Sequence, residues 1–248
     1  MRSIPLPVYL FVFLCSISGF LQAQSFEDLV SGISGLGTKS LLEQRLKEWT
    51  RGSRGKMAVI LERELDFECR QSYWLIQTGN RTYDLDLLTK GDNLLYVVLK
   101  DDNAGLYARQ KELFLDRQEL QSFLVQHNLL YQTHLNLREL TQQLSTRVIF
   151  GFGCGLSGRG NPPQAALLTE AVAQGRKKLF DTWIRSANSE LQAYGASGLI
   201  ALQQKGLVLT AEDRKILDHL MDRNPALFTC SGCMVGIVQW YNDLVIRP

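Results

Sequence analysis

The chain is expected to fold as an α+β protein: an N-terminal antiparallel β meander with flanking helices, followed by a C-terminal helical region. Three observations carry that expectation. Apolar residues recur with a period of two through much of 57–115, in runs separated by short Gly/Asn/Asp turns. Residues 151–163 hold five glycines and two prolines, a composition that neither helix nor strand tolerates. Beyond them, capping residues and helix formers dominate. Strands followed by helices, rather than alternating with them, define the class.

The chain opens with Met1-Arg2, an apolar run over 4–21, and then Gln22-Ala23-Gln24. A basic start, an apolar centre and a small residue at the boundary make a secretory signal peptide, with cleavage expected after Ala23. Pro5 and Pro7 shorten the uninterrupted apolar run to 8–21, less than the ~20 residues needed to span a bilayer. A lipid anchor on Cys15 fits less well, because the bulky Phe13 and Leu14 precede it. No later stretch is long and apolar enough to span. The expected organisation is therefore a signal peptide over 1–23, a strand-rich region over 24–150, a connecting loop over 151–163, and a helical region over 164–248.

Cleavage removes Cys15 and leaves Cys69, Cys154, Cys230 and Cys233. An even number of cysteines in an exported chain points to disulfides. The mature chain is long enough to bury a core without them, so crosslinks would lock particular places. Without Arg2 it carries 26 basic against 25 acidic residues. That balance gives no support for a nucleic-acid partner.

The elements follow in order. Residues 31–37 are rich in Gly and Ser and are expected to be flexible, while Leu41, Leu42, Leu46 and Trp49 mark a helix over 40–49. Residues 51–56 are basic and glycine-punctuated, and are read as a solvated linker rather than a phosphate patch. Val59, Leu61, Leu65, Phe67 and Cys69 define one buried face of a strand over 57–69. Further strands are expected over 73–77, 81–87, 94–100 and 106–115, with turns at 78–80, 91–93 and 101–105. Asp116 with Glu119 starts a helix reaching about Gln126, and Leu137, Leu140, Leu144 and Val148 mark another.

Pro162 and Pro163 suit the first turn of a helix, and 165–184 reads as one helical stretch. Ser189 with Gln192 starts the next helix, whose small apolar face is Ala193, Ala196, Leu199, Ile200 and Leu202, and Gly206 stops it. Thr210 with Asp213 starts a third, carrying Ile216, Leu217, Leu220 and Met221, with Pro225 beyond its end. The pair over 189–221 resembles a HEAT-type hairpin, which implies that its small residues lie where these two helices approach.

Several constellations invite a chemical reading. Residues 153–158 spell the glycine pattern of a dinucleotide site, but Arg159-Gly160-Asn161-Pro162-Pro163 delays the helix that such a site needs. Cys230-Ser231-Gly232-Cys233 fits a structural crosslink, a redox couple or half of a zinc site. The compartment and the absence of a thioredoxin-like pattern favour the crosslink. A bond inside the pair is preferred to one from Cys154, and Cys69 is read as a buried apolar thiol. No nucleophile elbow occurs, since Arg159 stands where its last glycine belongs.

His127, His134 and His219 are read as ordinary surface or core residues, and Asp84 and Asp86 as outward-facing positions of a half-buried strand rather than metal ligands. Asn80-Arg81-Thr82 is a glycosylation acceptor only in a eukaryotic host. No catalytic, cofactor or metal set is assigned. The expectation is an exported, non-catalytic binding or interaction module with a protein or small-molecule ligand, periplasmic or secreted. The competing class is a thiol–disulfide protein using Cys230 and Cys233.

Overall fold

The computed structural model describes residues 25–52, 55–79, 81–101, 109–154, 160–232 and 234–245. The expected signal peptide with Cys15, the linker positions Ser53 and Arg54, Asn80, most of the turn at 101–105, positions 155–159 of the glycine-rich loop, and Cys233 lie outside them.

Helix α1 (Phe26–Ile33) begins at a capping box between Ser25 and Asp28, and α2 (Lys39–Gly52) follows. Thus part of the stretch expected to be flexible is helical, because Phe26, Leu29 and Ile33 form a buried stripe. The meander is present: β1 (Lys56–Glu64), β2 (Cys69–Thr78), β3 (Arg81–Lys90), β4 (Asn93–Asp101) and β5 (Arg109–Leu115) pair antiparallel in sequence order.

The strand expected over 57–69 is in fact broken at its end. Asp66, Phe67, Glu68 and Cys69 form the turn from β1 to β2, with Phe67 and Glu68 both at positive φ (61° and 62°). Non-glycine residues adopt that region at a cost. Phe67 is held there by an edge-on contact with Phe123, ring centroids 5.5 Å apart.

After the sheet come α3 (Arg117–Tyr131), capped by Asp116, and α4 (Leu137–Ser145), capped by Asn136. The helical region contains α5 (Pro163–Ala173), α6 (Lys177–Ile184), α7 (Ser189–Gln204) and α8 (Ala211–Arg223). The single stretch expected over 165–184 divides at Gly175, which turns at φ 66°. The small residues of α7 serve α6: a Cβ at Gly195 would collide with the backbone of Ile184, and one at Gly198 with the ring of Phe180. The close approach foreseen between α7 and α8 is thus made with α6 instead.

Beyond Pro225 the sequence was read without strands. The structure has a hairpin, β6 (Ala226–Ser231) and β7 (Met234–Trp240), before the short α9 (Tyr241–Leu244).

The sheet is covered on both faces. On one, Phe26, Leu29, Leu42 and Leu46 pack on Trp74, Ile76, Tyr83, Leu85, Val97 and Leu99. On the other, α3 and α4 cover Leu88, Tyr96 and Val98, and the C-terminal hairpin brings Ala226 and Phe228 onto Leu61 and Tyr73. The helical region has its own core around Phe180, Ile184, Tyr194 and Leu199. No described helix is long and apolar enough to cross a membrane.

Candidate functional site

The second face of the sheet meets the helical region through charge. Arg63 of β1 and Glu190 in the first turn of α7 are both fully buried, with Nη1 to Oε1 at 2.5 Å and Nη2 to Oε2 at 3.1 Å. Arg63 also donates to Gln71 Oε1 (2.9 and 2.7 Å) and to the Ala226 carbonyl (3.1 Å), and Glu190 accepts from Phe228 N–H at 2.9 Å. Gln71 donates in turn to the Leu144 carbonyl at 2.7 Å. Burial pulls the guanidinium pKa down, but the Glu190 carboxylate more than offsets this and holds it above its ordinary value.

Asp84 and Asp86 lie on the same face, and both are buried. The outward-facing reading is therefore corrected. A half-buried strand alternates inside and outside, but here the second face is also covered, so its polar positions need partners. Arg147, just after α4, bridges the two at 2.7 Å to Asp84 and 3.0 Å to Asp86, while Lys100 joins Asp86 to the Ser145 carbonyl.

A third cluster closes the end of the seam. Asp66, in the β1–β2 turn, accepts from Arg223 Nη1 at 2.7 Å and Tyr131 O–H at 2.8 Å, and lies 2.6 Å from His219 Nε2. Burial pushes this carboxyl up, but the His219 hydrogen bond, the Arg223 charge and Tyr131 outweigh it and hold it at about 2. The structure thus gives His219 a partner that sequence reading did not assign. His127 lies tilted against Tyr131 (4.6 Å between centroids) and parallel to Phe123, with Nε2 3.3 Å from the Arg185 carbonyl, and burial pushes its pKa down to about 4. His134 is exposed beyond the end of α3, away from that helix face. No group of three metal-ligating side chains occurs among the described residues.

The cysteine preference is also corrected. Cys154 is bonded to Cys230, Cα to Cα 5.6 Å, across a separation of 76 residues. The physical reason is the path of the chain after α4. Phe150 N–H donates to the Phe228 carbonyl (2.9 Å) and Cys230 N–H to the Phe150 carbonyl (3.2 Å), so residue 150 runs beside β6 and delivers Cys154 to Cys230. Gly151 makes the approach possible, since a Cβ there would lie 2.8 Å from both the carbonyl oxygen and Sγ of Cys230. Cys69 is free and buried, with burial raising its thiol to about 11.

Where β1, β2, the end of α8 and β7 converge, a cleft of about 320 Å³ opens beside the seam. Glu62, Glu64 and Arg70 form one wall; Arg223, Asn224 and Trp240 contribute to the other. Arg70 pairs with Glu62 (3.2 Å) and Glu64 (2.9 Å), and Lys39 reaches Glu62 at 2.6 Å. The indole of Trp240 stands 55% exposed on this rim. Two grooves of about 600 Å³, one of them adjoining the cleft at Glu64 and Arg70, present no exposed aromatic side chain among their lining residues.

Sequence reading missed this cleft because it depends on an unforeseen hairpin. The one available signal was Trp240 itself, a large aromatic outside any expected core stripe. Set against known protein families, curated proteins and solved structures, the chain gives no match in any of the three.

Proposed function

We propose that the chain is an exported, non-catalytic binding module of the cell envelope or extracellular space. The observation that carries this reading is the Cys154–Cys230 bond, formed between two buried cysteines. Crosslinks of this kind persist in oxidising compartments and are rare where thiols are kept reduced. The apolar run over 4–21, followed by Ala23, supports the same destination.

Binding is favoured over chemistry by the way the polar groups are used. The charged side chains of the seam are engaged with one another across elements, an arrangement suited to holding parts of the fold together. The anchored hairpin, in contrast, leaves Met234, Val235, Val238 and Trp240 exposed on β7 and contributes a wall to the cleft.

Fractionation of the native source, with alkylation of free thiols before and after reduction, tests the reading. The expected product lacks residues 1–23, yields a crosslinked Cys154–Cys230 peptide, and exposes Cys69 only on unfolding. An intact chain in the cytosol with every thiol reduced contradicts it. A Cys230 bond that exchanges onto Cys233 and reduces near the potentials of known oxidoreductases would transfer the case to the thiol–disulfide role.

A further inference from the structure

We infer that the cleft between Arg70 and Trp240 binds a neutral saccharide; this rests on the reading of the chain as a binding module. The first ground is charge. The guanidinium of Arg70 is paired with Glu62 and Glu64, and that of Arg223 with Asp66, so neither cation stands without a countercharge that a charged ligand would have to replace. What it offers is a cluster of donors and acceptors on one wall, the side chains of Glu62 and Arg70 covered in part and that of Glu64 exposed. Paired carboxylate oxygens and guanidinium N–H groups, each with remaining hydrogen-bond capacity, match the adjacent hydroxyls of a sugar ring, which donate and accept at once.

The second ground is the indole. Trp240 keeps over half its surface in water at the cleft rim, although a large aromatic side chain gains by burial. The C–H face of a pyranose is a flat apolar surface that can cover such a ring while its hydroxyls reach the polar wall opposite. A concave site with one aromatic surface and a few fixed polar groups is the usual form of a small-molecule pocket.

A third observation points to the same place. Arg223 is 8% exposed at its side chain and lines the cleft; its Nη groups serve Asp66, Tyr131 and Gln192, while its Nε–H has no partner. Asn224 beside it is held at φ 44°, in the left-handed region, by the end of α8. The wall beside Trp240 is therefore rigid, with Arg223 fixed by its seam partners and Asn224 by the helix cap and by the Asn242 N–H that its Oδ1 accepts.

The test is isothermal titration of the purified, oxidised chain with maltotriose, cellotriose and N,N′,N″-triacetylchitotriose, and with trigalacturonate and inorganic phosphate as charged comparators. At least one neutral trisaccharide is expected to bind, with Trp240→Ala and Arg70→Ala each weakening it about tenfold or more. Trp240→Phe should retain part of the affinity because it keeps a ring, and Val208→Ser, at an exposed site that does not line the cleft, should change nothing. Circular dichroism of each variant separates loss of binding from loss of fold. No response to any neutral trisaccharide at about 10 mM, binding of only the charged probes, or binding indifferent to Trp240→Ala would overturn the inference. Those results leave the export reading standing, since compartment and thiol state are measured on the native protein without any sugar.

Discussion

The two faces of the five-stranded sheet are buried differently, one mainly by apolar contact and the other by apolar contacts and buried ion pairs together. Toward α1 and α2, the contact is apolar, with Leu29, Leu42 and Leu46 against Trp74, Leu85 and Leu99. Toward the helical region, the same strands present Arg63, Asp84, Asp86 and Lys100, each matched by a charged partner. Apolar packing tolerates small shifts, since dispersion and burial are non-directional. A buried ion pair does not, because displacing one member leaves the other charged and dry. Apolar packing therefore supplies stability on both faces, while the buried ion pairs fix where α7 and the C-terminal hairpin sit on the sheet.

The largest expected effect comes from breaking that pairing at its driest point. Arg63→Met should destabilise the fold by about 3–5 kcal/mol in denaturant titration, because Glu190 is left fully buried without its partner. Leu85→Ala on the apolar face should cost somewhat less, about 3 kcal/mol, as burial and cavity terms combine. No single change at a neighbouring apolar position should rescue it. If Arg63→Met cost no more than a surface substitution, the distinction between the faces would fail.

Acid sharpens the contrast, because buried titratable groups lie on the ionic side of the molecule. His127 is held near 4 against an ordinary 6.5, so the folded state resists its proton. Its contribution to stability is complete above pH 6.5 and is lost as pH falls toward 4. Asp66, held near 2 against 3.8, favours the folded state above pH 3.8, and that advantage is lost as pH falls toward 2. The steps are about 3 kcal/mol for His127 and about 2 kcal/mol for Asp66. His127→Asn should remove the upper step from the pH dependence of the unfolding midpoint; an unchanged profile would count against burial as its cause.

The smallest effect lies in the β1–β2 turn that carries Asp66. Glu68→Gly should stabilise by about 0.5 kcal/mol, since glycine adopts a φ of 62° without the cost borne by Glu68. Thermal unfolding would register a rise of a degree or two, and a fall would mean that Glu68 makes a contribution its backbone does not reveal.

The meander was legible because its period-two runs end in residues that turn easily, as at Gly79 and Gly91, both at positive φ. The capping box at Thr210 and the cap at Asp116 lie where the sequence signals a helix start, whereas the box at Asn136 was not read from it. Three features were hidden. The turn at Phe67-Glu68 carries no glycine, so alternation ran through it. The hairpin over 226–240 was masked by the expectation that helix follows helix. Asp84 and Asp86 looked outward because period-two patterning identifies two faces without saying whether the second is covered. What covers it is Arg147, distant in sequence, and nothing local to β3 announces that pairing. The cleft was obscured for the same reason, since Glu62, Arg70, Arg223 and Trp240 meet only when sheet, helix and hairpin are assembled.

The most direct measurement of the central claim is a double-mutant cycle on Arg63 and Glu190, read by equilibrium unfolding of Arg63→Met, Glu190→Met and the double variant. Our account predicts two costly single variants and a double variant that recovers most of the loss, because a well-packed apolar pair replaces a buried ion pair at little net cost. Costs that simply add would show that the two side chains do not depend on each other, and would contradict it.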